Sequence, residues 1–393
     1  PLLAVVGGLL PARQALAPFA HPVIFLFLGG FALAAALRQQ GLDRALVAAV
    51  LQLARGRRMA AILMLSGLTA LLSMWMSNTA TVALMLPLAL GLLAMDDAQA
   101  DPDHAQRERS FVLLALAYSA SIGGMATLIG SPPNAIAAGQ AGISFAQWLA
   151  IGGPLALLLW PLMLGVLAVA LRPRLSGRIA VPHEPIAWNR PRAVTATVFA
   201  LAVGGWVLGA PLGAALGIAA DMDTVVALAA ILALAAGGAL EWPALERHVQ
   251  WGVLLLFGGG LALGEVMSGS GASRFLAQGL LAWLQGAPLP LVILGVVAFV
   301  VFLTELVSNT ASAALLLPLL LPVAAAMGLP PLAMAAAIGI SASCAFMLPV
   351  ATPPNALVFG TGQVAASTMM RCGFWLNLGA IGLISAAALL AWQ

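Results

Sequence analysis

Ser77 to Leu90 reads SNTATVALMLPLAL, and Ser308 to Leu321 reads SNTASAALLLPLLL. Each sets a serine, an asparagine and a threonine together inside an otherwise apolar stretch. Polar side chains in hydrocarbon must find partners, because every unsatisfied group is costly there. One such interruption is ordinary helix-to-helix glue. Two copies in the same order, 231 residues apart, point to a duplicated unit.

The surroundings repeat as well. PLLAVVGGLL from residue 1 matches ILALAAGGAL from 231, GGFALAAAL from 29 matches GGLALGEVM from 259, and Gly41 and Arg44 match Gly271 and Arg274, all 230 apart. GSPPNAIAAG from 130 matches ATPPNALVFG from 351, an offset of 221. The order is kept, so the chain divides into a first repeat with its linker over 1–192 and a second over 193–393. Each copy reads as a spanning helix (20–37 and 250–266), an amphipathic helix (41–54 and 271–284), and a long apolar stretch split by Ser-Asn-Thr (59–95 and 286–327). A helix interrupted by Pro-Pro-Asn (109–143 and 331–363) and a closing helix (148–171 and 372–392) follow. Two further spans, 193–209 and 223–240, join the copies. The first repeat holds only a remnant of the second of these, which suggests an N-terminally truncated copy.

Composition gives the class. The 393 residues are 62% hydrophobic and 7% charged, where a soluble domain carries about a quarter charged residues. Apolar runs near the bilayer-crossing length recur throughout, so the fold class is an all-α polytopic membrane protein. The basic excess carries no nucleic-acid signal, since the one basic run is RGRR at Arg55–Arg58. Cys344 and Cys372 lie in or beside apolar runs and form no disulfide framework. His21, His104, His183 and His248 are scattered, and no HExxH, GxSxG or P-loop occurs. The chain therefore reads as no enzyme.

All sixteen basic residues are arginine. Tracing the spans puts fourteen of them on one face, Arg174 and Arg178 included, and leaves only Arg13 and Arg274 on the other. That asymmetry marks the first face as cytoplasmic. The trace lets each split segment enter and leave on one face, as a re-entrant hairpin or as two short spans. The first opens to the cytoplasm and the second to the outside, so the two repeats are inverted. Inverted repeats with broken helices belong to secondary transporters.

The candidate site follows from the polar interruptions. Ser73 and Thr304 each stand four residues before a Ser-Asn-Thr, on the same helix face. Hydroxyl, amide and backbone carbonyl oxygens suit a hard monovalent cation, whereas Asn side chains and free N–H groups at a helix start suit an anion. Proline unwinds a helix at Pro132–Pro133 and Pro353–Pro354, freeing the carbonyls of Gly130 and Ala351. Gly123 and Gly124 add freedom or close packing. Glu305 is the one carboxylate within the split segments; its counterpart is Met74, so it reads as a supporting residue rather than a member of a symmetric site.

SNTATVALMLPLAL, GSPPNAIAAG, SNTASAALLLPLLLPV and MLPVATPPNALVFGTG resemble the divalent anion/sodium symporter family, the carriers of succinate, malate, citrate or sulfate; AHPVIFLFLGGFALAAAL resembles that family's early helix. The resemblance covers essentially the whole chain. It implies a homodimer in the bacterial inner membrane, with interleaved scaffold and transport parts and an elevator motion. It implies that Ser-Asn-Thr caps two re-entrant hairpins. One sodium ion would use Ser73, Ser77, Asn78 and Gly130, and the other Thr304, Ser308, Asn309 and Ala351. The substrate carboxylates would meet Ser77, Asn78, Thr79, Ser308, Asn309 and Thr310, with Ser131 and Thr352 nearby. The expected activity is sodium-coupled symport of a divalent anion, with a C4-dicarboxylate such as succinate favoured; a sodium-independent exchanger and a sulfate symporter are the alternatives.

Overall fold

The computed structural model describes residues 2–93, 102–173, 175, 177, 187–217, 221–283 and 287–392. Arg174 and Arg178 lie outside the described residues. The described chain is helical throughout. Short α1 (Leu2–Val6) and α2 (Ala12–Leu16) lead through a 3-10 turn to α3 (Pro22–Gln39), amphipathic α4 (Leu42–Leu53), and the pair α5 (Arg58–Ser73) and α6 (Asn78–Leu93). Then come α7 (Pro102–Met125), α8 (Pro132–Ala141), α9 (Phe145–Leu171), α10 (Arg190–Val207), α11 (Gly209–Leu216) and α12 (Met222–Ala236). After α13 (Trp242–His248) the series recurs as α14 (Trp251–Gly269), α15 (Ala272–Trp283), α16 (Leu289–Thr304) and α17 (Asn309–Ala326). It ends with α18 (Pro331–Ser341), α19 (Pro353–Phe359) and α20 (Ala366–Leu390).

Among the described residues, five helical stretches are long and apolar enough to cross a bilayer, and a sixth if α10 and α11, bent by 84°, count as one. The bend was not legible in the sequence, which reads 193–209 as one span. The arms α5, α6 and α16 are each 16 residues long, and the fourth arm, α17, at 18 residues is itself among the five. At about 1.5 Å per residue the three shorter arms fall short of a ~30 Å hydrocarbon core, as arms of a hairpin do and as independent spans do not.

Proline places the helix starts. Pro132 and Pro353 open α8 and α19, where a missing N–H costs nothing. The Pro-Pro-Asn motifs are thus the first turns of new helices, and the irregular backbone precedes them. That backbone runs from residue 126 to 131 in the first copy and from 342 to 352 in the second. The second break is longer because α18 stops at Ser341, the counterpart of Ala120, whereas α7 continues to Met125.

The helices pack as two groups. In one, α3 lies against α12, α13 and α14, with α10 on α12. In the other, α7 is gripped by α5, α6, α9 and α19, and α18 by α16 and α20. Helices α8 and α17 lie between the groups and touch both. Trp75, in the turn between α5 and α6, bridges to α10 by stacking on Trp206 (ring centroids 6.4 Å, planes 10° apart) and meeting Phe199 edge-on.

Candidate functional site

The four helix starts that carry the repeated motifs, those of α6, α8, α17 and α19, converge on one cavity of about 440 Å³. Each carries the positive end of its helix dipole and first-turn N–H groups without helical partners. Ser77, Asn78, Thr79, Ser131, Ser308, Asn309, Thr310 and Thr352 all line it, as do Gly130 and Ala351. Every residue that the sequence singled out for substrate is thereby brought to one place. Ser73 and Thr304 stand just behind, fully buried.

The first copy builds a compact oxygen cluster. Ser73 Oγ donates to Asn78 Oδ1 at 2.6 Å; with the amide turned over, its nitrogen donates to Ser73 Oγ (2.6 Å), the Ala120 carbonyl (3.1 Å) and the Gly130 carbonyl (3.2 Å). Three oxygens from three elements therefore aim at one point, the end of the Asn78 amide. Gly124 permits this: a Cβ there would stand 2.4 Å from the Asn78 amide and 2.9 Å from the Gly130 carbonyl. Close approach, rather than freedom, is what that glycine supplies. Ser77 caps the start of α6, its Oγ accepting from the Ala80 N–H at 3.3 Å.

The second copy repeats the cluster with different neighbours. Thr304 Oγ1 lies 2.6 Å from Asn309 Oδ1 and 2.8 Å from the Ala342 carbonyl. Ser308 precedes α17 without a side-chain cap, so the first-turn N–H groups there stay available. Thr352 caps α19 by accepting from the Asn355 N–H at 3.3 Å, whereas Ser131 leaves α8 uncapped and pairs with Ser343 Oγ at 2.9 Å.

The breaks are held by the asparagines of Pro-Pro-Asn. Asn134 Nδ2 donates to the carbonyls of Gly124 (2.9 Å) and Thr127 (2.7 Å), and Asn355 Nδ2 to those of Ala345 and Leu348 (both 3.1 Å). Each thus gathers loose carbonyls of its own break. Glu305 also lines the cavity, yet its carboxylate turns to the second break. Oε1 accepts from the Phe346 and Met347 N–H groups (both 2.8 Å) and Oε2 from Leu348 (3.0 Å), while Asn377 Nδ2 donates to Oε1 at 2.7 Å. Its supporting role is therefore to satisfy three backbone donors that the break orphans.

Among the cavity residues that went unread in the sequence are Phe27 and Phe31 of α3, and Gln250 and Val253 at the start of α14. Phe27 left one trace, its match to Phe257 at the repeat offset. Those two rings meet edge-on at 4.8 Å between α3 and α14. Gln250 is a lone amide ahead of a spanning helix and carries no pattern.

A citrate transporter family profile matches residues 1–339 and 223–392, which together take in nearly the whole chain. The chain belongs to that family. An uncharacterised transporter of Haemophilus influenzae is 46% identical over all of this chain and 86% of its own. The sodium-dependent dicarboxylate transporter SdcS of Staphylococcus saprophyticus is 32% identical over 98% of this chain and 79% of its own. Among solved structures, the Alcanivorax borkumensis YdaH transporter superposes with a TM-score of 0.66 at 16% identity, covering all of this chain and 88% of that one. The likeness to YdaH concerns the fold alone. The resemblance to divalent anion/sodium symporters is borne out, and this family member is a multi-pass membrane transporter, not an enzyme.

Proposed function

We propose that this transporter couples sodium to the symport of a divalent anion, a C4-dicarboxylate such as succinate. The observation that carries the reading is the pair of Ser-Asn-Thr motifs facing one cavity of about 440 Å³ from two structurally matched helix starts. Two donor sets suit a substrate with two carboxylates. Asn78, Thr79, Asn309 and Thr310 would donate to them, with Ser77, Ser308, Ser131 and Thr352 completing the lining. Uncapped first-turn N–H groups and four helix dipoles supply the positive potential that no lysine or arginine provides here.

The sodium ions fit the oxygen clusters. In the first copy, the orientation with Asn78 Oδ1 toward Ser73 Oγ and the carbonyls of Ala120 and Gly130 is a donor set of oxygens alone. In the second, Thr304 Oγ1, Asn309 Oδ1 and the Ala342 carbonyl already form one, with Ala351 at the cavity wall. Moving a dianion against 100 mV costs about 4.6 kcal/mol at roughly 2.3 per charge. Two sodium ions cancel that term and a third would make uptake electrogenic. The two helix groups are read as scaffold and transport parts of an elevator, in inverted repeats over 1–192 and 193–393, within a homodimer of the bacterial inner membrane.

The test is uptake of labelled succinate into proteoliposomes under an inward sodium gradient, against choline. Sodium-driven uptake is expected. Asn78→Ala and Asn309→Ala should each lower it about 10- to 100-fold, the equivalent of one hydrogen bond to a charged group. Equal uptake in choline, dependent on internal dicarboxylate, would make the protein an exchanger. Transport of sulfate but not succinate would overturn the substrate.

A further inference from the structure

The two amphipathic helices are not packed alike. In the second copy α15 lies along α17, and Ser273 Oγ donates to the Pro318 carbonyl at 3.3 Å. In the first copy α4 rests on α5 and α3 instead. A cavity of about 590 Å³ opens between α4 and α6, and Asp43 and Pro87, the counterparts of Ser273 and Pro318, line it from those two helices. What is filled by helix packing in one copy is a groove in the other.

The groove is apolar along Val47 and Leu51 of α4 and Leu84 and Leu88 of α6, but Arg38 and Arg44 join the lining where α4 begins. Neither guanidinium makes an ion pair among the described residues; Arg38 Nη2 reaches only the Ala80 carbonyl, at 3.4 Å. Asp43 is the one acid in the lining, buried and accepting the Arg44 backbone N–H at 2.8 Å. Burial pushes its carboxyl up, against the pull of that hydrogen bond and the two arginines. The counterpart of Arg38 is Ser268, so the paired basic end belongs to the first copy. It also lies on the arginine-rich face of the chain, where a bilayer presents its anionic leaflet.

We propose that this groove binds one acidic phospholipid from that leaflet, its phosphodiester between Arg38 and Arg44 and an acyl chain along Val47, Leu51, Leu84 and Leu88. Free phosphate would leave the apolar walls uncovered, and a zwitterionic lipid would bring a cation to a site that already holds two. Arg38 touches the first turn of α6, so the lipid would sit against the same helix whose start lines the transport cavity.

Native mass spectrometry of the purified full chain tests this, titrating phosphatidylglycerol, phosphatidylcholine or inorganic phosphate, with thermal melting alongside. Wild type should retain one phosphatidylglycerol preferentially and melt higher with it. Arg38→Gln/Arg44→Gln should weaken retention about thirtyfold, roughly fivefold for each arginine taken away from an anionic headgroup. Arg44→Gln alone should give a partial loss without a folding defect, and Arg274→Gln, its counterpart, should change nothing. Equal retention of phosphatidylcholine by wild type, or unchanged phosphatidylglycerol retention in the double variant, would overturn the site. Stabilisation by inorganic phosphate to the same extent would overturn the lipid assignment.

Discussion

The two copies carry the same polar words and support them differently. In the first, α7 runs on to Met125, the break is short, and Thr127 bridges it to the hairpin turn. Its Oγ1 donates to the Met74 carbonyl at 2.5 Å and accepts from the Gly130 N–H at 3.1 Å. In the second, α18 stops early and the longer break orphans more N–H groups, which the Glu305 carboxylate collects. Residue 74 contributes its backbone carbonyl, and residue 305, the matching position, contributes a side chain. Pseudo-symmetry thus holds in which residues face the cavity, while their capping and their supports differ. Ser77 and Thr352 cap their helices, whereas Ser308 and Ser131 do not.

Removing the carboxylate should break this comparison most severely. Glu305→Gln offers one acceptor oxygen where three N–H groups need accommodation, and should lower stability by about 2–3 kcal/mol, the cost of orphaning buried donors. Met74→Glu should bring no compensating gain, because residue 74 already meets the first break through its backbone carbonyl, which accepts from Thr127 Oγ1. Thermal melting of both variants checks this; equal effects at the two positions would make the asymmetry irrelevant.

A smaller effect separates the matched positions Gly124 and Ala345. Helical Gly124 faces Asn78 with no room for a methyl, whereas its counterpart already carries one in the irregular segment. Gly124→Ala should raise the half-saturating sodium concentration about tenfold, the equivalent of about 1.4 kcal/mol. Ala345→Gly should cost under about 1 kcal/mol of stability and leave the sodium dependence unchanged. Sodium titration of transport or of melting reads both, and matched responses would remove Gly124 from the cation cluster.

The mildest substitution is Thr127→Val, which deletes one hydroxyl linking break and hairpin. A loss of about 1 kcal/mol is expected by melting, with uptake largely kept. A loss as large as that of Glu305→Gln would mean that the first break depends on one side chain after all.

Much of this was legible in the sequence because proline and repetition are strong signals. The offset of 230–231 aligns α3 with α14 and both hairpins from the amino-acid order alone. The Pro-Pro-Asn motifs mark both breaks, although the sequence reads them as unwinding one helix where Pro132 and Pro353 open new ones. The cavity residues were legible because polar groups in an apolar run have so few places to go. What escaped depends on distance rather than on pattern. The early end of α18 is marked by no proline or glycine, since SASCAF contains neither. Glu305 showed as an isolated acid, yet its partners lie 41 to 72 residues away. The gap between α4 and α6 follows from how an interfacial helix settles, and the amphipathic patterns of α4 and α15 look alike.

Trp75 rides on the turn of the first hairpin and stacks almost parallel on Trp206 of a helix in the other group. Two indoles in that arrangement exchange excitation and quench each other, so their emission depends on the distance between them. If the hairpin-bearing group travels along the other, that pair must separate. The protein then reports its own stroke in ultraviolet light, with no dye attached.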